Sequence, residues 1–126
     1  MDAVDLWTNT LFSETKDIGD AMAIAWVIRN RMEKQGKSLE EVVYAPHQFS
    51  GVGTKEWKKA ESGKLTPEEK VIRDEMKSMV QGMIMGGVSD PTGGATNYFN
   101  PKLVKPSWAK NMKKMYNTDY HEYYKE

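Results

Sequence analysis

Between Ile18 and Gly36 the apolar residues return every three or four positions. Ile18, Ala21, Met22, Ala25, Ile28 and Met32 fall on one side of a helix that Gly36 can end, and such a stripe has to be buried against other elements. The spacing predicts the central buried helix of the chain. Val4, Trp7 and Leu11 predict a shorter helix over 3–14, with Asp2 as its N-cap. Ser38-Leu39-Glu40-Glu41 has capping-box spacing and opens one or two helical turns before Pro46. Thr66-Pro67-Glu68-Glu69 repeats the box and starts a stripe of Ile72, Met76, Met79, Val80 and Met83 that runs to Gly86-Gly87. Trp108, Met112, Met115 and Tyr116 predict a last helix near the C-terminus. His47–Gly53 and Ser89–Pro101 lack helical periodicity. In the second stretch Thr92-Gly93-Gly94 offers a turn and Thr96, Tyr98 and Phe99 favour strands, which predicts a small hairpin or a loop-rich wall. The expected fold is mainly α (α+β), and 126 residues suit one domain over 1–126.

Several function classes are excluded by what is missing. No apolar run reaches the roughly 18–20 residues that cross a bilayer, so no membrane insertion is expected. Eighteen basic residues balance eighteen acidic ones, leaving no global field for nucleic acid. From Pro101 onward six lysines face three acids, which reads as a solvated helix face ahead of an acidic-polymer site. Residues 1–20 carry five acids and only Lys16, the reverse of a secretory signal, so the sequence encodes no standard export. There is no cysteine, hence no disulfide. His47 and His121 are the only histidines and neither lies in an H-E-x-x-H arrangement, so no metal and no cofactor is expected. Motifs for an activated serine and for a phosphate-binding loop are missing too. A monomer is expected.

A glycosidase needs less. One carboxylic acid at a cleft can protonate a glycosidic oxygen and then serve as base. Glu14 falls where the first helix ends, after Leu11 and Phe12, and can project from a rigid element; by periodicity alone it reads more readily as a solvated surface residue. Sugar rings combine apolar faces with hydroxyls, and Gln48, Phe49, Ser50, Tyr98, Asn100, Trp108 and Tyr120 supply aromatic and amide partners of that kind. Trp7, Trp26 and Trp57 read as core, whereas Trp108 stands evenly between core and platform.

The run Leu11-Phe12-Ser13-Glu14, then Val27-Ile28-Arg29-Asn30-Arg31, Val42-Val43-Tyr44, Gln48-Phe49-Ser50, Asp90-Pro91-Thr92-Gly93-Gly94-Ala95, Tyr98-Phe99-Asn100-Pro101, Trp108 and His121 resembles the cell-wall hydrolase family of the spore cortex-lytic enzymes. The order holds over about residues 6–124, and the D-P-T-G-G-A block is its most specific part. Thr15-Lys16-Asp17-Ile18-Gly19 stands where the family usually has a Gly-rich turn. The resemblance implies a compact helical domain akin to lysozyme and lytic transglycosylases, acting on the glycan strands of peptidoglycan. It also implies that Glu14 is the catalytic carboxylate and that Gln48, Thr96, Tyr98, Asn100 and His121 line the cleft. Phe49, Ser50, Gly93, Gly94 and Trp108 complete the expected substrate-binding set. Attack by the sugar's own C6 hydroxyl needs no second carboxylate, whereas attack by water does, and Asp17 and Asp90 are candidates for it. The resemblance points to the former. A non-catalytic wall-binding or phage structural module is the alternative. Without an encoded export signal, the expected setting is the bacterial wall, reached by holin release or in a virion.

Overall fold

A computed structural model describes residues 1–46 and 48–126; His47, one of the two histidines weighed for metal binding, lies outside the described residues. The helices are α1 (Ala3–Glu14), α2 (Ile18–Gln35), α3 (Leu39–Val43), α4 (Lys55–Ser62) and α5 (Pro67–Ile84). They are followed by β1 (Asn97–Phe99), a 3-10 turn at Ser107–Asn111, β2 (Lys113–Asn117) and β3 (Glu122–Lys125). The fold is mainly α with a small sheet, the class the stripes predict. No described helix is long and apolar enough to cross a membrane.

α1 is enclosed along its whole middle, although its apolar stripe is short. Every residue from Leu6 to Phe12 is buried, because α1 packs on both α4 and α5 and also touches α2. Its buried threonine and asparagine side chains are satisfied locally or by a neighbour, while the buried Trp7 indole N–H has no partner among the described residues: Thr8 and Thr10 donate to the Val4 and Leu6 carbonyls at 2.7 and 2.8 Å, and Asn9 accepts from Arg73 of α5 at 2.9 Å. α2 starts at the N-cap Asp17 and ends at a left-handed Gly36. Ala21, Ile24, Ala25 and Ile28 have no exposed surface, nor do Ala23 and Val27, so its buried face is wider than the stripe; Ile18 is exposed. Both capping boxes form, at Ser38/Glu41 and Thr66/Glu69. α4 has caps at Thr54 and Gly63 but buries only Trp57 and Ala60, too little apolar periodicity to announce a helix.

The C-terminal helix is a correction. Trp108 lies in the 3-10 turn, Met112 is extended, and Met115 and Tyr116 belong to β2. The sheet is antiparallel in the order β1-β3-β2, and its register shifts between Lys114 and Tyr116. That bulge breaks the alternation that would mark a strand and leaves a spacing that mimics a helix. The expected hairpin at Gly93-Gly94 is corrected as well. The turn there leads into β1, but β1 pairs with β3 (Tyr98 opposite Tyr123), and the hairpin is β2–β3 across Thr118–His121.

Candidate active site

α1 stops at Glu14 because Thr15 is extended while its N–H still bonds the Leu11 carbonyl at 3.0 Å. The Glu14 side chain therefore leaves a rigid final turn, and it opens into a cleft of about 1110 Å³. Walls come from the α1–α2 junction, the loop before α4, β1 with the loop after it, and the β2–β3 turn. Two donors from distant segments meet the carboxylate. The Tyr98 hydroxyl donates to Oε1 at 2.7 Å and the Gly51 N–H to Oε2 at 2.9 Å. Position 51 has no room for a side chain: a Cβ would stand 2.4 Å from Ser13 Oγ and 2.5 Å from Glu14 Oε2.

Tyr98 is itself built in. Its ring stacks on Tyr123 at 5.6 Å, meets His121 edge-on at 5.0 Å and tilts against buried Phe49 at 6.3 Å. Burial, and then the neighbouring Glu14 carboxylate, push the Tyr98 phenol well above the usual 10, so it stays a donor. Beneath it lies Asp20, fully buried, which accepts from Tyr123 Oη at 2.6 Å, Thr118 Oγ1 at 2.7 Å and His121 Nδ1 at 2.8 Å. Burial alone would raise this carboxyl, but the bonds from His121, Tyr123 and Thr118 outweigh it and hold it below 3.8.

Asn30-Arg31 does not line the cleft but ties down the D-P-T-G-G-A block and, through Arg31, the cleft residue Gln48. Asn30 donates to Asp90 at 3.0 Å and to the Ala95 carbonyl at 2.9 Å, while Arg31 donates to the Thr96 carbonyl and, at 2.8 Å, to Gln48. Asp90 also accepts from Thr92 N–H and Oγ1 and from Gly94 N–H at 2.7–2.9 Å. Burial works against its charge, and these bonds outweigh it, so the carboxyl sits below 3.8.

Of the residues singled out from the sequence, Glu14, Gln48, Ser50, Tyr98, Asn100, Tyr120 and His121 line the cleft. Phe49 lies behind Tyr98 instead, 5% exposed. Thr96 is buried, its hydroxyl on Asn97 at 2.9 Å. Gly93 and Gly94 lie against Met115 and Lys125, away from the cleft. Trp108 packs edge-on to Phe99 and Tyr124 outside it. Of the two candidate second acids, Asp17 lines the cleft and Asp90 does not. Sequence reasoning misses Gly51, whose only signal is a glycine directly after Gln48-Phe49-Ser50. It also misses Asp20, an acid set inside the apolar start of α2, and the rim residues Glu56, Leu103 and Val104.

The sequence pattern described as Cell Wall Hydrolase matches residues 16–124, starting two residues after Glu14. Two solved structures share the fold. The catalytic domain of the Bacillus cereus SleB protein is 26% identical, with TM-score 0.70 over 97% of this chain and 88% of that one. The catalytic domain of the germination-specific lytic transglycosylase SleB from Bacillus anthracis is 23% identical, with TM-score 0.67 over 99% of this chain and 97% of that one. No curated protein sequence matches significantly.

Proposed function

The chain belongs to the cell wall hydrolase family, and from that premise we propose that it is a peptidoglycan glycosidase of the lytic transglycosylase type. It cleaves the β-1,4 bond between N-acetylmuramic acid and N-acetylglucosamine in the bacterial cell wall. The observation that carries this reading is Glu14, held by Tyr98 and Gly51 at the wall of a cleft whose other lining includes Gln48, Asn100 and Tyr120.

In the first step the Glu14 carboxyl gives its proton to the glycosidic oxygen. The C1–O bond breaks, N-acetylglucosamine leaves with a free 4-hydroxyl, and C1 becomes oxocarbenium-like. In the second step the C6 hydroxyl of the same muramic acid attacks C1 and returns its proton to the Glu14 carboxylate, closing a 1,6-anhydro ring. An attacking group already tethered beside C1 gains from proximity. The other acids at the cleft favour this route over attack by water. Asp17 spends an oxygen on the Asp20 N–H at 2.8 Å as the N-cap of α2, and Glu56 is paired with Lys16 and Lys59 at 3.3 and 3.2 Å.

Digestion of purified peptidoglycan followed by mass spectrometry tests the reading. Muropeptides should end in 1,6-anhydro-N-acetylmuramic acid, lighter than a hydrolysed end by one water. Predominantly reducible ends would make the enzyme a hydrolase. Glu14→Gln should lower turnover by roughly 10²–10⁴-fold, the usual contribution of a general acid–base. The amide fits the same cradle, its oxygen on the Gly51 N–H and its NH₂ on the Tyr98 oxygen, so folding should be retained.

A further inference from the structure

Asp20 is a fully buried acid that the proposed reaction does not use, and it sits in the first turn of α2 rather than at the cleft. Its carboxylate collects three side chains from the other end of the chain. Two of them, Thr118 and His121, bound the β2–β3 turn, and Tyr123 follows in β3. Within that turn the Thr118 hydroxyl also accepts the Tyr120 and His121 N–H groups at 3.1 and 3.2 Å. The turn is therefore organised around Asp20 through one hydroxyl and one imidazole.

His121 lines the cleft with its Nδ1 directed inward to Asp20. Its Nε2 makes no hydrogen bond to a described residue, so this is the ring nitrogen left for a ligand in the cleft that His121 lines. In the neutral imidazole, an Nδ1–H donated to a carboxylate leaves Nε2 as the acceptor. Beside it Tyr120, 51% exposed, offers an aromatic face at the same rim.

We propose that Asp20 is a positioning residue for glycan binding: it fixes the tautomer of His121, whose Nε2 accepts a sugar hydroxyl or acetamido N–H next to the ring of Tyr120. The proposal rests on the glycosidase reading for its substrate.

The imidazole ¹⁵N spectrum of the wild-type protein, assigned with His121→Gln, should show His121 protonated on Nδ1; protonation on Nε2 overturns the proposal. Asp20→Asn should raise the Nε2–H fraction and raise KM for soluble uncrosslinked glycan strands by roughly 10–100-fold, the usual effect of losing an orienting partner. A lesion that merely loosens the fold lowers the active fraction at unchanged KM, and that result also overturns it. If Asp20→Asn does not fold, His121→Asn decides, because it keeps a donor toward Asp20 and removes the cleft-facing nitrogen, together with the ring edge that meets Tyr98. Its KM should rise by a similar factor at a wild-type melting temperature, and an unchanged KM is fatal to the proposal. A wild-type protein that cuts no peptidoglycan refutes the glycosidase reading alone. The same strands then serve in a binding titration, in which weaker binding by His121→Asn supports this inference and equal binding overturns it.

Discussion

At the scale of single residues, the position of the Glu14 carboxyl is defined by a hydroxyl and by an absent side chain. Gly51→Ala places a methyl carbon within 2.8 Å of Ser13 Oγ, Ser13 Cβ and Glu14 Oε2, so either the loop or the carboxylate has to move. Turnover should fall more than about 10-fold, since the N–H bond to Glu14 is lost with the displacement and each 1.36 kcal/mol on the barrier is tenfold. Steady-state rates at matched folded protein check this, and a wild-type rate would show that neither the room at position 51 nor its N–H bond to Glu14 matters for turnover. Tyr98→Phe removes the O–H from Oε1 and leaves the aromatic stack with Tyr123 in place. A hydrogen bond to a charged group contributes about 1.5–3 kcal/mol. The expected loss is roughly 10–100-fold in kcat, with the circular dichroism spectrum unchanged.

At the scale of elements, the D-P-T-G-G-A block is a clamp that fixes the approach to β1, and its glycines answer to backbone geometry. Gly94 has φ +97°, and a Cβ there would lie 3.3 Å from Lys125 Nζ, yet the residue is absent from the cleft. Gly94→Ala should therefore lower stability by about 1–3 kcal/mol, the usual cost of forcing such a backbone region. Specific activity per folded molecule should hold. A chemical denaturation series beside the activity assay separates the two, and lost activity with unchanged stability would put the block at the substrate. The N-R pair belongs to the same clamp: Asn30 and Arg31, on α2, tie down residues 90–96 and Gln48, so its place in the motif is explained by tethering.

At the scale of the whole molecule, two buried or half-buried carboxylates join segments far apart in the chain. Asp20 links α2 to the β2–β3 turn, and Asp90 links the block before β1 to α2. Both carboxyls are held below the ordinary 3.8 by their hydrogen bonds. A folded value below the unfolded one means that the charged form is favoured in the native state. Its stabilisation is complete above the unfolded value of 3.8 and is lost as pH falls through the depressed folded values. The melting temperature should thus be insensitive to these groups above about pH 5 and fall on acidification below 3.8. Asp90→Asn should reduce that acid slope. Calorimetric scans across this range test it, and an unchanged slope in the variant would remove Asp90 from the account.

How much of this was legible in the sequence follows from the range of each interaction. A helix is written in residues three and four apart and in caps at its ends, so α1, α2, α3 and α5 are legible from spacing alone, as is the position of Glu14 at the end of the first. α4 has caps without a stripe, and β2 has a stripe broken by a bulge, so local spacing misses the one and misreads the other as helix. The cleft depends on tertiary structure in a different way. Gly51 and Tyr98 reach Glu14 across 37 and 84 positions, and His121 reaches Asp20 across 101. Contacts at such separations leave no spacing for a sequence to display. The sequence by itself determined the helical core and the acid that ends its first helix. Only the packing of that core decided which distant groups hold the acid, that Asp90 is a clamp, and that Asp20 lies beneath His121, because a buried carboxylate gets its partners from whatever the fold brings alongside it.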